Sequence, residues 1–302
     1  MGKVYMVGHI YLERTMAIKI LSPDLSSDYK ALERFRQEAR AATSIQHDNI
    51  VRVFDFGVTK DSNTAYIAME YLRGISLREA INYRWQFDCE RVYFILRQIC
   101  SALEAAKRLG MIHRDLKPDN IWLEHPDRSI PHVKVLDFGL AKLKEADEKT
   151  ALTEEGTILG TPAYISPEQW RGEELDFSSD IYSLGVILYE LLTGQVPFNA
   201  SNPMEIGFKH IYEQPKPLSN MLISLELGIP CQLISPGIAK VVLRALGKTK
   251  NDRQESALQL AQEYETALVS SGLYIPRYWE EKNKGSGWPF NPIGTAEREE
   301  RK

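Results

Sequence analysis

Cysteine is scarce in this chain of 302 residues: Cys89, Cys100 and Cys231 are the three, and no CxxC pair or Cys/His spacing joins them. An odd, sparse count argues against a disulfide framework and for a reducing, cytoplasmic setting, so the thiols read as buried or incidental. Long apolar runs are lacking too. Ile181 to Leu192 falls short of the ~18–20 residues of a membrane span and is broken by Ser183, Gly185 and Glu190. A signal-peptide core is missing, because Lys3, His9, Glu13 and Arg14 interrupt the first apolar stretch. Basic excess is absent as well: 37 Lys and Arg against 41 Asp and Glu leave a net charge of −4. That removes the broad positive field on which non-specific nucleic-acid binding depends. No membrane span and no nucleic-acid partner are therefore expected. What is present is ordinary soluble composition, with 43% hydrophobic residues to build a core. No fixed-period repeat points to a solenoid or propeller.

From Val4 to Ile20, β-branched and aromatic residues interleave with polar ones, which predicts two strands joined near Ile10 to Arg14. Ser27 stands as an N-cap before Leu32, Phe35, Ala39 and Ala42, a helical spacing that ends near Gln46 to Asn49. Two more strand-like runs, Ile50 to Val58 and Ala65 to Tyr71, flank the polar turn Lys60 to Thr64. After Gly74 the pattern turns helical, so Gly74 reads as the junction between a small strand-rich lobe and a larger helical one. Arg91 to Leu109 places Val92, Ile95, Leu96, Ile99, Leu103 and Ala106 on one helical face, and Gly110 supplies a stop. Short strands at Ile121 to Glu124 and Val133 to Leu136 bracket a turn holding Pro126, Asp127 and Pro131. The polar stretch Lys142 to Gly160 has little periodicity, and so long a segment without elements tends to be functional. Helical patterns return at Asp180 to Thr193, at Pro236 to Leu246 behind a Ser235 cap, and at Glu255 to Leu268. Residues after Ser270, with GSGWPFNP and EREERK, read as a tail or linker.

Three groups of residues carry chemistry: His113-Arg114-Asp115-Leu116-Lys117-Pro118-Asp119-Asn120, then Asp137-Phe138-Gly139, then Ser166-Pro167-Glu168. Upstream stand Ala17-Ile18-Lys19 and, in the first predicted helix, Glu38. Singly, each has a bland reading: Asp-Phe-Gly is commonly a turn, Lys19 a solvated strand residue, Glu38 an exposed helix face. In this order and context they resemble the protein-kinase signature. GTPAYISPEQ and DIYSLGVILYELLTG are most similar to bacterial-type, eukaryotic-like Ser/Thr kinase catalytic domains. The resemblance spans Met1 to Leu268.

It implies an α+β, two-lobed kinase fold: a small antiparallel-sheet N-lobe with one helix in 1–73, a larger, mainly helical C-lobe in 74–269, and a tail in 270–302. It implies an ATP-dependent kinase acting on Ser or Thr of proteins, itself included, with a transient kinase dimer admissible for autophosphorylation. By resemblance Asp115 orients the attacking hydroxyl and accepts its proton, Lys117 neutralises the γ-phosphate, and the Thr161 hydroxyl bridges the two. Lys19 reaches the α- and β-phosphates and pairs with Glu38. Asn120 and Asp137 hold Mg²⁺, which Mn²⁺ can replace. Backbone at Glu70 and Leu72 bonds adenine, Met69 is the gatekeeper, and Val4, Ala17 and Trp122 wall the base. Gly2 belongs to the loop over the phosphates. Arg114 awaits a phosphate on the segment that carries Thr150, Thr153 and Thr157, with Thr153 the first site. His113 is structural, Asp180 holds the catalytic-loop backbone, Glu168 pairs with Arg253, and Asp119 weakly favours basic residues upstream of the acceptor.

The sequence departs from the family in places. Met1-Gly2-Lys3-Val4 matches only the end of the expected G-x-G-x-x-G-x-V loop, while the interval from Val4 to Lys19 is the family's. A start inside that loop, by truncation or misplacement, is the expectation, and a genuinely shortened lobe the alternative. His47-Asp48-Asn49-Ile50 replaces an HPNI-like segment, Lys250 stands where proline is expected, and Trp122 is bulkier than the usual aliphatic residue, able to stack on adenine or to narrow the pocket. A pseudokinase scaffold and a small-molecule phosphotransferase are the competing readings. The first departs from the fact that every charged catalytic position is occupied, and the second from the GTPAY…SPE segment, which suits protein substrates.

Overall fold

The computed structural model describes residues 3–11, 14–20, 43–59, 64–85, 87–126, 130–138, 161–218 and 234–272. Gly2, Glu38, Thr150, Thr153, Thr157 and Cys231 lie outside the described residues, as do most of the helix expected after Ser27, the stretch Lys142 to Gly160 and residues 273–302.

A first sheet is built from β1 (Lys3–Gly8), β2 (Thr15–Ile20), β3 (Val53–Val58) and β4 (Ala65–Glu70), antiparallel in the order β1-β2-β4-β3. The pairing Val4↔Lys19, Met6↔Ala17, Ala17↔Met69 and Lys19↔Ile67 puts Val4, Met6, Ala17, Lys19, Ile67 and Met69 on one face, because cross-strand partners and alternate residues share a side. Val4 and Met6 are 60% and 67% exposed there, while Ala17 and Ile67 are buried. A second sheet, β5 (Gly74–Ser76), β6 (Ile121–Glu124) and β7 (His132–Val135), has the order β5-β6-β7. The first sheet ends at Glu70 and the second begins at Gly74, which adopts φ +143°. A Cβ at Gly74 would stand 2.0 Å from the Leu123 carbonyl oxygen, so both the dihedral and the close strand contact require glycine.

Against the second sheet pack α1 (Leu77–Asn82) and α2 (Cys89–Arg108), and the helices α3 (Pro167–Arg171), α4 (Phe177–Thr193), α5 (Pro203–Tyr212), α6 (Pro236–Ala245) and α7 (Ala257–Ser270) follow, with α4 and α7 each packed on both α2 and α6. Together they give the antiparallel-sheet N-lobe and helical C-lobe that the sequence predicts. The apolar face of α2 is buried as its spacing requires, and α4 is buried on every side, as suits the central helix of a bundle. Side-chain caps start these helices: Asp88 for α2, Asp176 for α4, Ser235 ahead of Pro236 for α6, and Ser256 for α7. Periodicity did not announce α1, α3 or α5. The first two are single short turns with capping boxes, Ser76 with Glu79 and Ser166 with Gln169. In α5 the pattern is blurred because Met204, Phe208 and Tyr212 are exposed while Gly207 faces Trp170. Among the described residues no helix is long and apolar enough to cross a membrane.

Candidate active site

Between β7 and the loop before Pro118–Asn120, the chain brings five of the singled-out side chains together. The loop is suspended from α4: Asp180 accepts the His113 N–H at 2.8 Å and the Arg114 N–H at 2.9 Å. Burial pushes the Asp180 carboxyl upward, opposed by His113 and by these two N–H groups. His113 is fully buried, its Nε2 donating to the Leu136 carbonyl at 2.8 Å and its ring meeting Phe138 edge-on at 4.7 Å. The histidine therefore joins the two motif loops. Arg114 and Asp137 adopt φ +67° and +59°, a left-handed conformation that costs non-glycine residues energy and is tolerated where the surroundings impose it.

Asp115 receives both its oxygens' bonds from Lys117, whose Nζ lies 3.0 Å from Oδ1 and 2.8 Å from Oδ2 and whose side chain is 2% exposed. Asn120 Nδ2 donates to the Asp115 carbonyl at 2.8 Å and reaches Oδ2 at 3.3 Å. The carboxylate is thus held in one orientation, part-exposed, by groups from its own loop. The Asp115 to Lys117 contact is direct: Thr161 is exposed and caps the short turn Pro162–Tyr164 without a side-chain bond. Across the cleft, Lys19 Nζ meets Asp137 Oδ2 at 2.5 Å. Glu38, the expected partner of Lys19, lies outside the described residues.

These side chains offer a divalent cation hard oxygen donors. Asn120 turns its Nδ2 toward Asp115, which leaves its Oδ1 for another partner, and Asp137 supplies a carboxylate. Among the described residues no cluster of three or more His, Cys, Asp or Glu could cage a metal by itself. One carboxylate and one amide fit Mg²⁺, which keeps most of its shell for water and phosphate oxygens, better than a cation enclosed by protein alone.

The residues expected to contact adenine lie on the first sheet and on β6 of the second. Ala17 and Met69 are cross-strand partners with Val4 nearby, and Trp122 on β6 lies opposite Ser76 and Lys134. Trp122 Nε1 is buried without a hydrogen-bond partner among the described residues. The Glu70 N–H donates to Arg52 O at 2.9 Å and is thereby taken, while Leu72 lies in the connection to β5.

Near the site, two charge clusters among the described residues escaped the sequence reading. Arg78 on α1 binds Glu190 on α4 at 2.8 Å and bonds Tyr164, whose hydroxyl also donates to Glu190 at 2.5 Å. Burial works against the Arg78 charge, yet Glu190 and Tyr164 hold its pKa above the ordinary arginine value. The Arg78 guanidinium also stands 3.7 Å from Asp119 Oδ2, so that carboxylate already faces a cation, which weakens its expected pull on basic substrate residues. The second cluster is Glu70 with Lys134, 2.7 Å apart. Only a capping-type or i,i+4 spacing could have signalled such pairs, and neither applies.

The protein kinase domain family matches residues 1–264. The chain is 42% identical to serine/threonine-protein kinase pkn3 of Myxococcus xanthus over 259 residues, 85% of its own length and 46% of the relative's. With serine/threonine-protein kinase PknB of Mycobacterium tuberculosis it shares 36% identity over 262 residues, 86% of this chain and 40% of that one. It thus spans less than half the length of either relative. The crystal structure of the Mycobacterium tuberculosis PknI kinase domain superposes with a TM-score of 0.67 at 26% identity, over 89% of this chain and 91% of that one.

Proposed function

The chain belongs to the protein kinase family, and from that membership we propose that it transfers the γ-phosphoryl group of ATP to serine or threonine hydroxyls of proteins, its own included. The observation that carries this reading is the pair of carboxylates in fixed, different settings: Asp115 clamped by Lys117 and Asn120, and Asp137 against Lys19. Phosphoryl transfer needs charge in the right place more than covalent help from the protein. Asp115 orients the substrate hydroxyl and takes its proton as the oxygen attacks the γ-phosphorus and the bond to the β-phosphate oxygen breaks. Lys117 neutralises the γ-phosphate, and Lys19, with Glu38, the α- and β-phosphates. Asn120 and Asp137 hold Mg²⁺ or Mn²⁺, which offsets phosphate charge when bound. Val4, Ala17, Met69 and Trp122 enclose the base against the Glu70 carbonyl and the Leu72 backbone, with Gly2 over the phosphates. A cytoplasmic setting and a transient dimer for autophosphorylation complete the reading.

Lys117 two residues after Asp115, with Thr161 before Pro162, favours serine and threonine as acceptors. Incubation with radiolabelled ATP and a generic protein is expected to label the protein and the chain on Ser and Thr. Predominant phosphotyrosine would overturn the specificity. Nucleotide binding without any transfer would turn the reading to a non-catalytic scaffold.

Regulation is proposed at the segment after Asp137. A phosphate brings about −1.5 to −2 charges and strong acceptor oxygens, which Arg114 beside the catalytic aspartate is suited to bind. Mass spectrometry after incubation with Mg·ATP is expected to find Thr153 labelled first, with Thr150 and Thr157 as further acceptors. Unchanged activity in a Thr150/Thr153/Thr157 triple alanine variant would sink the mechanism.

A further inference from the structure

Glu70 ends β4 and is the last strand residue before the connection that carries Leu72. Its side chain works in two directions. Oε1 accepts the Arg52 N–H at 2.8 Å on the first-sheet side, and the same oxygen accepts from Lys134 Nζ at 2.7 Å on the second. Lys134 lies on β7 directly opposite Trp122, so the two share the face of the second sheet that meets the base. Its Nζ also approaches the Ile50 carbonyl at 3.5 Å. Both side chains are mostly buried, 12% exposed for Lys134 and 22% for Glu70, where salt screens a charge pair less than at the surface.

The segment that leads into β3 is also bonded to β7 around Asn49 and Val135. Val51 N–H donates to the Val135 carbonyl at 3.0 Å and Val135 N–H to the Asn49 carbonyl at 2.8 Å, forming a parallel bridge between Ile50 and Val135. Asn49 Nδ2 adds a bond to the Val133 carbonyl at 2.9 Å, so this tie is a small patch between residues 49–51 and 133–135. The Glu70 to Lys134 bond is a tie at a different point of the chain, where β4 gives way to the connection that carries Leu72. It links that connection to the strand beside Trp122.

We propose that Lys134 is a positioning residue for nucleotide exchange, clasping the lobes through the Glu70 carboxylate and so setting how fast ADP leaves. This rests on the reading of Met69 to Leu72 as the adenine-binding connection. Loosening the clasp lets floor and roof separate without touching Asp115, Lys117 or Asp137.

The test is stopped-flow release of a fluorescent N-methylanthraniloyl-ADP from the full chain, beside steady-state kinetics. Lys134→Met is expected to speed release about five- to tenfold and to raise KM for ATP by a similar factor, with kcat not reduced. Lys134→Arg should stay within about twofold of the parent, since its guanidinium can still reach the carboxylate. If Lys134→Met fails to fold, Glu70→Gln, which keeps an acceptor for Arg52 N–H but loses the charge, is expected to give the same acceleration. Unchanged release in the folded variants, even with a lowered melting temperature, would overturn the clasp and leave the kinase reading intact. Failure of the parent chain to bind the fluorescent ADP would overturn both.

Discussion

Asp115→Asn is expected to lower turnover by about 10²–10⁴-fold, the usual worth of a positioned acid–base group, while the dissociation constant for nucleotide stays within about twofold. The carboxylate takes two bonds from Lys117 and one from Asn120, and an amide of the same shape keeps most of that geometry while losing the capacity to accept a proton. Asp137→Asn should fail differently. It removes the carboxylate that faces Lys19 and the proposed cation, so Mg²⁺-dependent nucleotide binding weakens first and transfer is lost with it. Calorimetric titration of ADP with and without Mg²⁺, beside single-turnover transfer at saturating ATP, separates the two defects. Full turnover in Asp115→Asn would refute the role given to the loop.

Arg253→Ala is expected to cost about 3–5 kcal/mol of stability, because it strands Glu168 in the interior. Arg253 and Glu168 form two parallel bonds of 2.8 and 2.9 Å with side-chain exposures of 0% and 2%. The guanidinium also donates to the Gly247 and Ser178 carbonyls and lies over the Tyr182 ring, so the arginine ties α3 to α4 and to the segment before α7. At ~2–4 °C per kcal/mol for a domain of this size, the melting temperature should fall by about 6–20 °C, and a fall under about 2 °C would argue against the pair as a buried anchor. Replacing both partners by apolar residues should cost much less than removing one.

The same pair sets a dependence on pH. Burial raises the Glu168 carboxyl, but the Arg253 bonds and charge and the Ser179 hydroxyl outweigh it and leave the folded pKa below the ordinary glutamate value of 4.5. Protons therefore bind the unfolded chain more readily than the folded one. The stabilisation is fully present above about pH 4.5 and is lost as the pH falls through the folded pKa, so the parent should lose stability on acidification more steeply than Arg253→Ala.

The residues that bear the proposed chemistry were legible through the family resemblance, which short contiguous motifs carry. Asp115, Lys117 and Asn120 belong to one loop, so the partners of the Asp115 clamp lie within six residues of one another. Helix α2 could be read from its apolar face and α6 from Ser235 and Pro236, since period and cap act within a single element. The buried Glu168 to Arg253 pair and the grip of Asp180 on the loop backbone were legible only through the family resemblance, because 85 and 67 residues separate the partners.

By itself, then, the sequence determined which donors and acceptors exist, their order along the chain and the elements that carry them. Tertiary structure alone decided which charge meets which. Lys134 found Glu70 across 64 residues, and Arg78 found Glu190 across 112. Lys19 met Asp137 across 118. No propensity or periodicity reaches over such separations. A buried or half-buried charge takes whichever opposite charge the packing of lobes and helices brings within bonding distance, because leaving it unpaired away from water costs more than any local preference can supply.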